Sequence, residues 1–209
     1  SMLEMCAALG SKVLLVCSST SVHATQDIDH LAADLRKLAM LAVPLGIKVA
    51  YEGLSWGRTI NEFTTAWDVV FRADAPNLGI GLDSFHMLAT QTSLDELDIL
   101  DPEKIFLVQL ADFMWQKIHS VEERISTARQ FRVFPGEGVH SEQTADLVTR
   151  LYKLGYRGDY SFEVFNDDYQ QLPLPTVAAR AWKSAQWLGE DVLRRSVPMP
   201  NQIRLKRSR

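Results

Sequence analysis

The sequence predicts an α/β fold built on a parallel sheet, and two observations carry that prediction. Apolar runs with strand character begin near residues 12, 47, 78, 105 and 160, and helical sequence separates most of them. Such alternation implies parallel strands joined by crossover helices. Four of the runs also end in a polar side chain: Glu52 after Ile47, Asp83 after Leu78, Gln109 after Ile105 and Glu163 after Tyr160. The carboxyl ends of parallel strands gather on one face of a sheet or barrel. Three carboxylates and an amide oxygen are therefore expected to converge. Five strands are fewer than the eight of a closed (β/α)₈ barrel.

Taken in order, Leu3 to Leu9 reads as the end of a helix stopped by Gly10. Lys12 to Cys17 is a short strand, followed by polar loop to about Thr25. Ile28, Leu31, Leu35, Leu38, Ala42 and Leu45 recur at spacings of three and four, which predicts a helix over Asp27 to Leu45. After the Glu52 strand, Thr59 to Glu62 fits a capping box opening a helix with Ile60, Phe63, Trp67, Val70 and Phe71 on one face. Ser93 to Glu96 is a second cap signal, and Pro102 precedes the Gln109 strand. Ser141 to Leu154 is helical and ends at Gly155. Pro173 to Pro175 leads into a helix reaching about Leu193. The folded domain is expected over 1–193, with 194–209 a basic tail or linker.

Composition bounds the function. The chain has 209 residues, 46% hydrophobic and 23% charged, as in an ordinary folded domain. Its net charge of −4 argues against a large nucleic-acid footprint. No apolar run approaches a membrane span, and no signal-peptide pattern is present. Cys6 and Cys17 form neither a disulfide framework nor a metal-type spacing. They read as reduced, packed thiols of a cytoplasmic protein.

An oxygen-donor set of this kind suits Mg²⁺ or Mn²⁺, because these ions prefer carboxylate and amide oxygens to sulfur and imidazole. One strand-end acid alone would mean little, since such residues also cap helices or pair with arginine. Four strands ending this way give the signal its weight. His86, three residues beyond Asp83, is expected in the loop above the metal, where histidine can move protons near neutral pH. Arg132 opens a glycine-containing stretch, RVFPGEG, which is suited to presenting its planar fork to an anionic substrate. Glu137 in that stretch reads as an exposed loop acid. The phosphate-binding Walker pattern is absent.

At these residues the chain resembles a known family. The segments YEGLSWGR from Tyr51, LDSFH from Leu82, VQLAD from Val108, RVFPGEG from Arg132 and FEVFNDD from Phe162 are similar to those of bacterial 3-dehydroshikimate dehydratases. These enzymes belong to the sugar phosphate isomerase/epimerase superfamily, with its xylose isomerase-like barrel. The resemblance runs from about residue 3 to residue 190. It implies a (β/α)₈ TIM barrel lacking its first strands at the amino-terminal side and reduced to about five. It implies dehydration of the small molecule 3-dehydroshikimate to protocatechuate, by way of a metal-stabilised enolate. Glu52, Asp83, Gln109 and Glu163 would bind the divalent metal, His86 would serve as base and Arg132 would bind substrate. Glutamine at 109 favours this branch over the sugar epimerases and isomerases, which usually carry histidine there. Two alternatives stay open: a ketose epimerase or isomerase on the same scaffold, and an inactive paralogue acting as a binding module. Open strand edges would also invite a homo-oligomer.

Overall fold

The structure is a computed structural model that describes residues 1–195. Five parallel strands form one sheet in chain order: β1 (Val13–Cys17), β2 (Lys48–Glu52), β3 (Leu78–Asp83), β4 (Ile105–Leu110) and β5 (Tyr160–Phe162). Parallel crossovers are right-handed, so five strands stepping in one direction place their connecting helices on a single face. That progression is the one a (β/α)₈ barrel uses, and five consecutive units of it are described here. The helices are α1 (Met2–Leu9), α2 (Ile28–Ala42), α3 (Phe63–Ala73), α4 (Ser84–Thr90), α5 (Val121–Gln130), α6 (Ser141–Leu154) and α7 (Leu174–Gln186).

The two faces of the sheet differ in chemistry. Val49, Tyr51, Leu78, Ile80, Leu82, Val108 and Leu110 point to the helices. They are buried with Leu35 and Ala39 of α2, Val69 and Val70 of α3, and Leu147 and Leu151 of α6. Each such side chain contributes about 1.5–3 kcal/mol when fully buried, so this layer holds the fold together. The alternate residues form the inner face. A Cβ added at Gly81 would stand 2.8 Å from Leu15 Cδ1 and 3.6 Å from Glu52 Cβ. Gly81 thus keeps the layer beneath the site thin.

Most of the predicted elements are present, with corrections. All five strands lie where the apolar runs place them, and Gly10 and Gly155 stop α1 and α6 in the left-handed conformation, with φ of 71° and 114°. The α2 stripe ends its α-helix at Ala42 and continues as a 3-10 turn, Val43–Leu45, around Pro44. The Thr59 capping box does not form. Thr59 Oγ1 donates to Thr25 O instead, α3 starts at Phe63, and Phe71 is exposed. The sequence reading missed α4 and α5. The expected tail at 194–209 lies outside the described residues beyond Arg195. Among the described residues, no helix is long and apolar enough to cross a membrane.

Candidate metal centre

Strand register brings the site together. Cys17 pairs with Glu52, and Asp83 with Gln109. Gln109 pairs with Ser161, and Glu163, just past β5, continues the sheet by donating its backbone N–H to Leu110 O at 3.2 Å. All four predicted oxygen donors therefore lie at the carboxyl edge. Asp83 ends β3 and caps α4: its Oδ1 accepts the Phe85 N–H at 2.8 Å, leaving Oδ2 for the site. Glu52 and Gln109 are buried, at 4% and 8% exposure. Glu52 Oε1 and Gln109 Oε1 have no hydrogen-bond partner. Each orphaned buried acceptor costs about 1–3 kcal/mol. A divalent cation is the partner such oxygens take, so the donor set fits one.

Electrostatics agree. Glu52 is pushed up to about 8, first by burial and then by the carboxylates of Asp83 and Glu163. Glu163 is also raised, by burial and then by Asp83. Crowded acids of this kind bind a proton or a cation to relieve their repulsion. Ligand atoms of Glu52, Asp83 and His86 lie within 4.8 Å of one another.

His86 does not sit in a loop. It lies in α4 and is buried, with Nε2 3.6 Å from Asp83 Oδ2. The backbone N–H of Ser55 donates to His86 Nδ1 at 3.1 Å, and Ser55 Oγ lies 3.0 Å from the same nitrogen. A backbone N–H can only donate, so the neutral ring carries its proton on Nε2, toward Asp83. Burial first, and then the Arg132 charge, outweigh Asp83 and lower the imidazole to about 4. The ring is neutral at pH 7.

Arg132 is brought to the same point. Its Nη1 donates to Asp83 Oδ2 at 2.7 Å and to Glu163 Oε2 at 3.1 Å, its Nε donates to Ala128 O at 2.9 Å, and its plane lies over Phe85. Its loop is pinned by paired backbone hydrogen bonds between Asp112 and Val133 and by Asn166 Nδ2 donating to Arg132 O. Glu137 is not a free loop acid, because it accepts from Arg180 Nε at 2.7 Å and from the Tyr169 hydroxyl.

Sequence reasoning missed Cys17 and Ser55. Cys17 is exposed rather than packed, and its Sγ donates to Glu52 Oε2 at 3.4 Å. The residue's outer surface is open, yet partial desolvation of its sulfur, then Glu52, push this thiol up to about 12. It ends its strand as the four oxygen donors end theirs, which was a readable signal. Ser55 had none. Cys17, Glu52, Trp56, His86, Arg132 and Glu163 help line a cavity of about 300 Å³.

The sequence profile of the xylose isomerase-like TIM barrel matches residues 1–190. The chain belongs to this family. Within the xylose isomerase-like barrels it is 39% identical to a 3-dehydroshikimate dehydratase of Pseudomonas aeruginosa over 193 residues, 91% of this chain and 30% of that relative. The chain thus spans less than a third of that relative's length. Among solved structures, a xylose isomerase-like TIM barrel/4-hydroxyphenylpyruvate dioxygenase fusion protein superposes with a TM-score of 0.83 at 33% identity, covering 99% of this chain and 31% of that one. The IOLI protein, solved with a binding zinc atom, gives 0.76 at 26% identity, covering 91% and 67%.

Proposed function

We propose that this chain carries the metal centre of a 3-dehydroshikimate dehydratase, converting 3-dehydroshikimate to protocatechuate and water. The observation that supports the reading is that Glu52, Asp83, Gln109 and Glu163 lie together at the carboxyl edge of the sheet, with ligand atoms of Glu52, Asp83 and His86 within 4.8 Å of one another and with Glu52 Oε1 and Gln109 Oε1 unpartnered. The chain's 39% identity to a protein of that name supports it. We assign Mg²⁺ or Mn²⁺, since all four donors are oxygens. Such an ion supplies Lewis-acid polarisation of a substrate ketone and stabilises the negative charge that develops as the neighbouring proton leaves.

The remaining work falls to the chain's own side chains. Arg132, anchored through Nε, holds its remaining donors at the carboxylate cluster, where a substrate carboxylate would compete for the same fork. His86 holds a proton on Nε2, which suits a hydrogen bond to an oxygen on which negative charge develops. Service as a base would require that proton on Nδ1, and the Ser55 N–H occupies that lone pair. We therefore assign His86 a hydrogen-bond-donating role toward a substrate oxygen rather than that of a base. Trp56 packs edge-on to His86 with ring centres 5.0 Å apart and limits its rotation.

The test is ultraviolet detection of protocatechuate from 3-dehydroshikimate with added Mg²⁺ or Mn²⁺. This chain would be run beside a longer version carrying further barrel strands, with Glu163→Ala in each. Product from either wild-type protein, lost in its Glu163→Ala partner, supports the reading. Folded, metal-loaded proteins that give no product, yet exchange a proton next to a sugar ketone, would replace it with an epimerase or isomerase.

A further inference from the structure

We propose that Arg124 is a positioning residue of this site. By holding the Ser55 carbonyl, it fixes the turn whose backbone N–H keeps the His86 proton on Nε2. The inference rests on the reading of His86 as a hydrogen-bond donor to a substrate oxygen, and its first test needs no substrate.

A tight turn follows β2. Leu54 O accepts the Gly57 N–H at 2.7 Å, and the Leu54 N–H donates to Ser18 Oγ at 3.0 Å. The turn buries Ser55 and brings its N–H, its hydroxyl and the Trp56 ring against His86. A hydroxyl can donate or accept, so Ser55 Oγ does not choose the tautomer of the ring. The N–H, which only donates, does. Ser55's own carbonyl accepts from Arg124 Nη1 at 2.7 Å and has no other partner among the described residues.

Arg124 comes from α5, 69 positions away in sequence. One helical turn further on, on the same face of α5, Ala128 O accepts Arg132 Nε at 2.9 Å. One face of this helix thus serves both His86 and Arg132. The buried Nε of Arg124 has no partner, and the bond to Ser55 is the one hydrogen bond its side chain makes among the described residues. An arginine kept for stability alone would satisfy its buried donors, since an unmade one is costly. Arg124 leaves one unmade and grips the turn. Without it, the Ser55 carbonyl is a buried acceptor with no partner, and the turn must shift to bring that carbonyl to water. The shift carries the Ser55 N–H and Trp56 away from His86. The ring proton then moves through water from Nε2 to Nδ1, where Ser55 Oγ accepts it. The ring stays neutral, but Nε2 no longer donates.

The experiment is nitrogen-15 spectroscopy of the histidine rings at neutral pH with Mg²⁺ present, in the wild-type chain, Arg124→Met and Arg124→Gln, with His86 assigned through His86→Gln. Expected in the wild type is the pattern of a ring protonated on Nε2, with a coupling across the hydrogen bond between the Ser55 amide nitrogen and His86 Nδ1. In the folded variants the coupling should be lost, and the two ring nitrogens should move toward each other in shift as the tautomers mix. The rate of protocatechuate formation should fall with them, kcat by about 10–100-fold with KM little changed. A wild type without the coupling, folded variants with the wild-type ring pattern, or two variants that both fail to fold would overturn the proposal, the last two by making Arg124 a structural residue. Wild-type ring behaviour as expected, with no protocatechuate formed, would count against the proposed reaction and leave the role of Arg124 in holding His86 standing.

Discussion

At the scale of single residues, the carboxyl edge of the sheet carries buried polar atoms that the fold leaves unpartnered. Gln109 buries an amide oxygen without a partner, and an orphaned acceptor costs about 1–3 kcal/mol. An apolar side chain of similar size would not carry that cost. Gln109→Leu should therefore raise the stability of the metal-free protein by about 1 kcal/mol in urea unfolding. It should also lose most of the stabilisation that Mg²⁺ or Mn²⁺ gives the wild type through linkage. A variant that is less stable without metal, or equally stabilised by it, would show that Gln109 is a packing residue and no ligand. Arg132 shows the complementary case. It is buried against Asp83 and Glu163, so it offsets repulsion in the metal-free cluster, whichever group it later binds. A buried pair of this kind costs about 3–5 kcal/mol to break by removing one partner, which gives Arg132 a structural role of its own.

At the scale of elements, what the sequence disclosed followed from packing. α2 and α6 each bury a stripe of apolar residues, and that stripe is what periodicity detects. α5 buries only Thr127 and Ala128, so it has almost no stripe to detect. α4 is two turns long and begins at the carboxylate of Asp83, so the residue that closes the β3 run also caps a helix too short to show a stripe. The strand ends were legible because each polar residue closes an apolar run. The partners of Arg132 were not, because they come from β3 and beyond β5, far apart in sequence. The loop after Arg132 joins α7 through Glu137, which holds Arg180 and Tyr169. Burial raises the Glu137 carboxyl, but the hydrogen bonds from Arg180 and Tyr169 win and lower it below its ordinary 4.5. A folded value below the unfolded one gives stability that is fully present above about pH 4.5 and lost as pH falls through the folded value. Thermal unfolding of Glu137→Gln should thus differ from wild type above that pH and converge with it in acid. The effect should be small, since Arg180 is 40% exposed and solvent screens the pair. A constant difference at all pH values would show that Glu137 acts by shape and neutral hydrogen bonds alone.

At the scale of the whole molecule, the sheet is unevenly protected, and that unevenness bears on the site. β3 is paired on both sides and buried along its whole length. β1 pairs only with β2 among the described residues, and its strand is half-buried, ending in the exposed Cys17. Its free edge is the feature that open sheets elsewhere cover or blunt. Local opening follows the number of buried apolar contacts and paired backbone groups. The hydrogen-bonded amides of β1 should then exchange through a local opening of lower free energy than those of β3, whose exchange should approach global unfolding. Hydrogen exchange with mass spectrometry, run at several protein concentrations, decides the matter. β1 amides faster than β3 at every concentration would mean that Cys17 and one wall of the cavity sit on a strand that opens by itself. Protection of β1 that rises with concentration would mean that a second copy covers the edge. β1 amides as slow as those of β3 in dilute solution would contradict the argument, because one paired side and a half-buried strand would then be holding as firmly as the centre of the sheet.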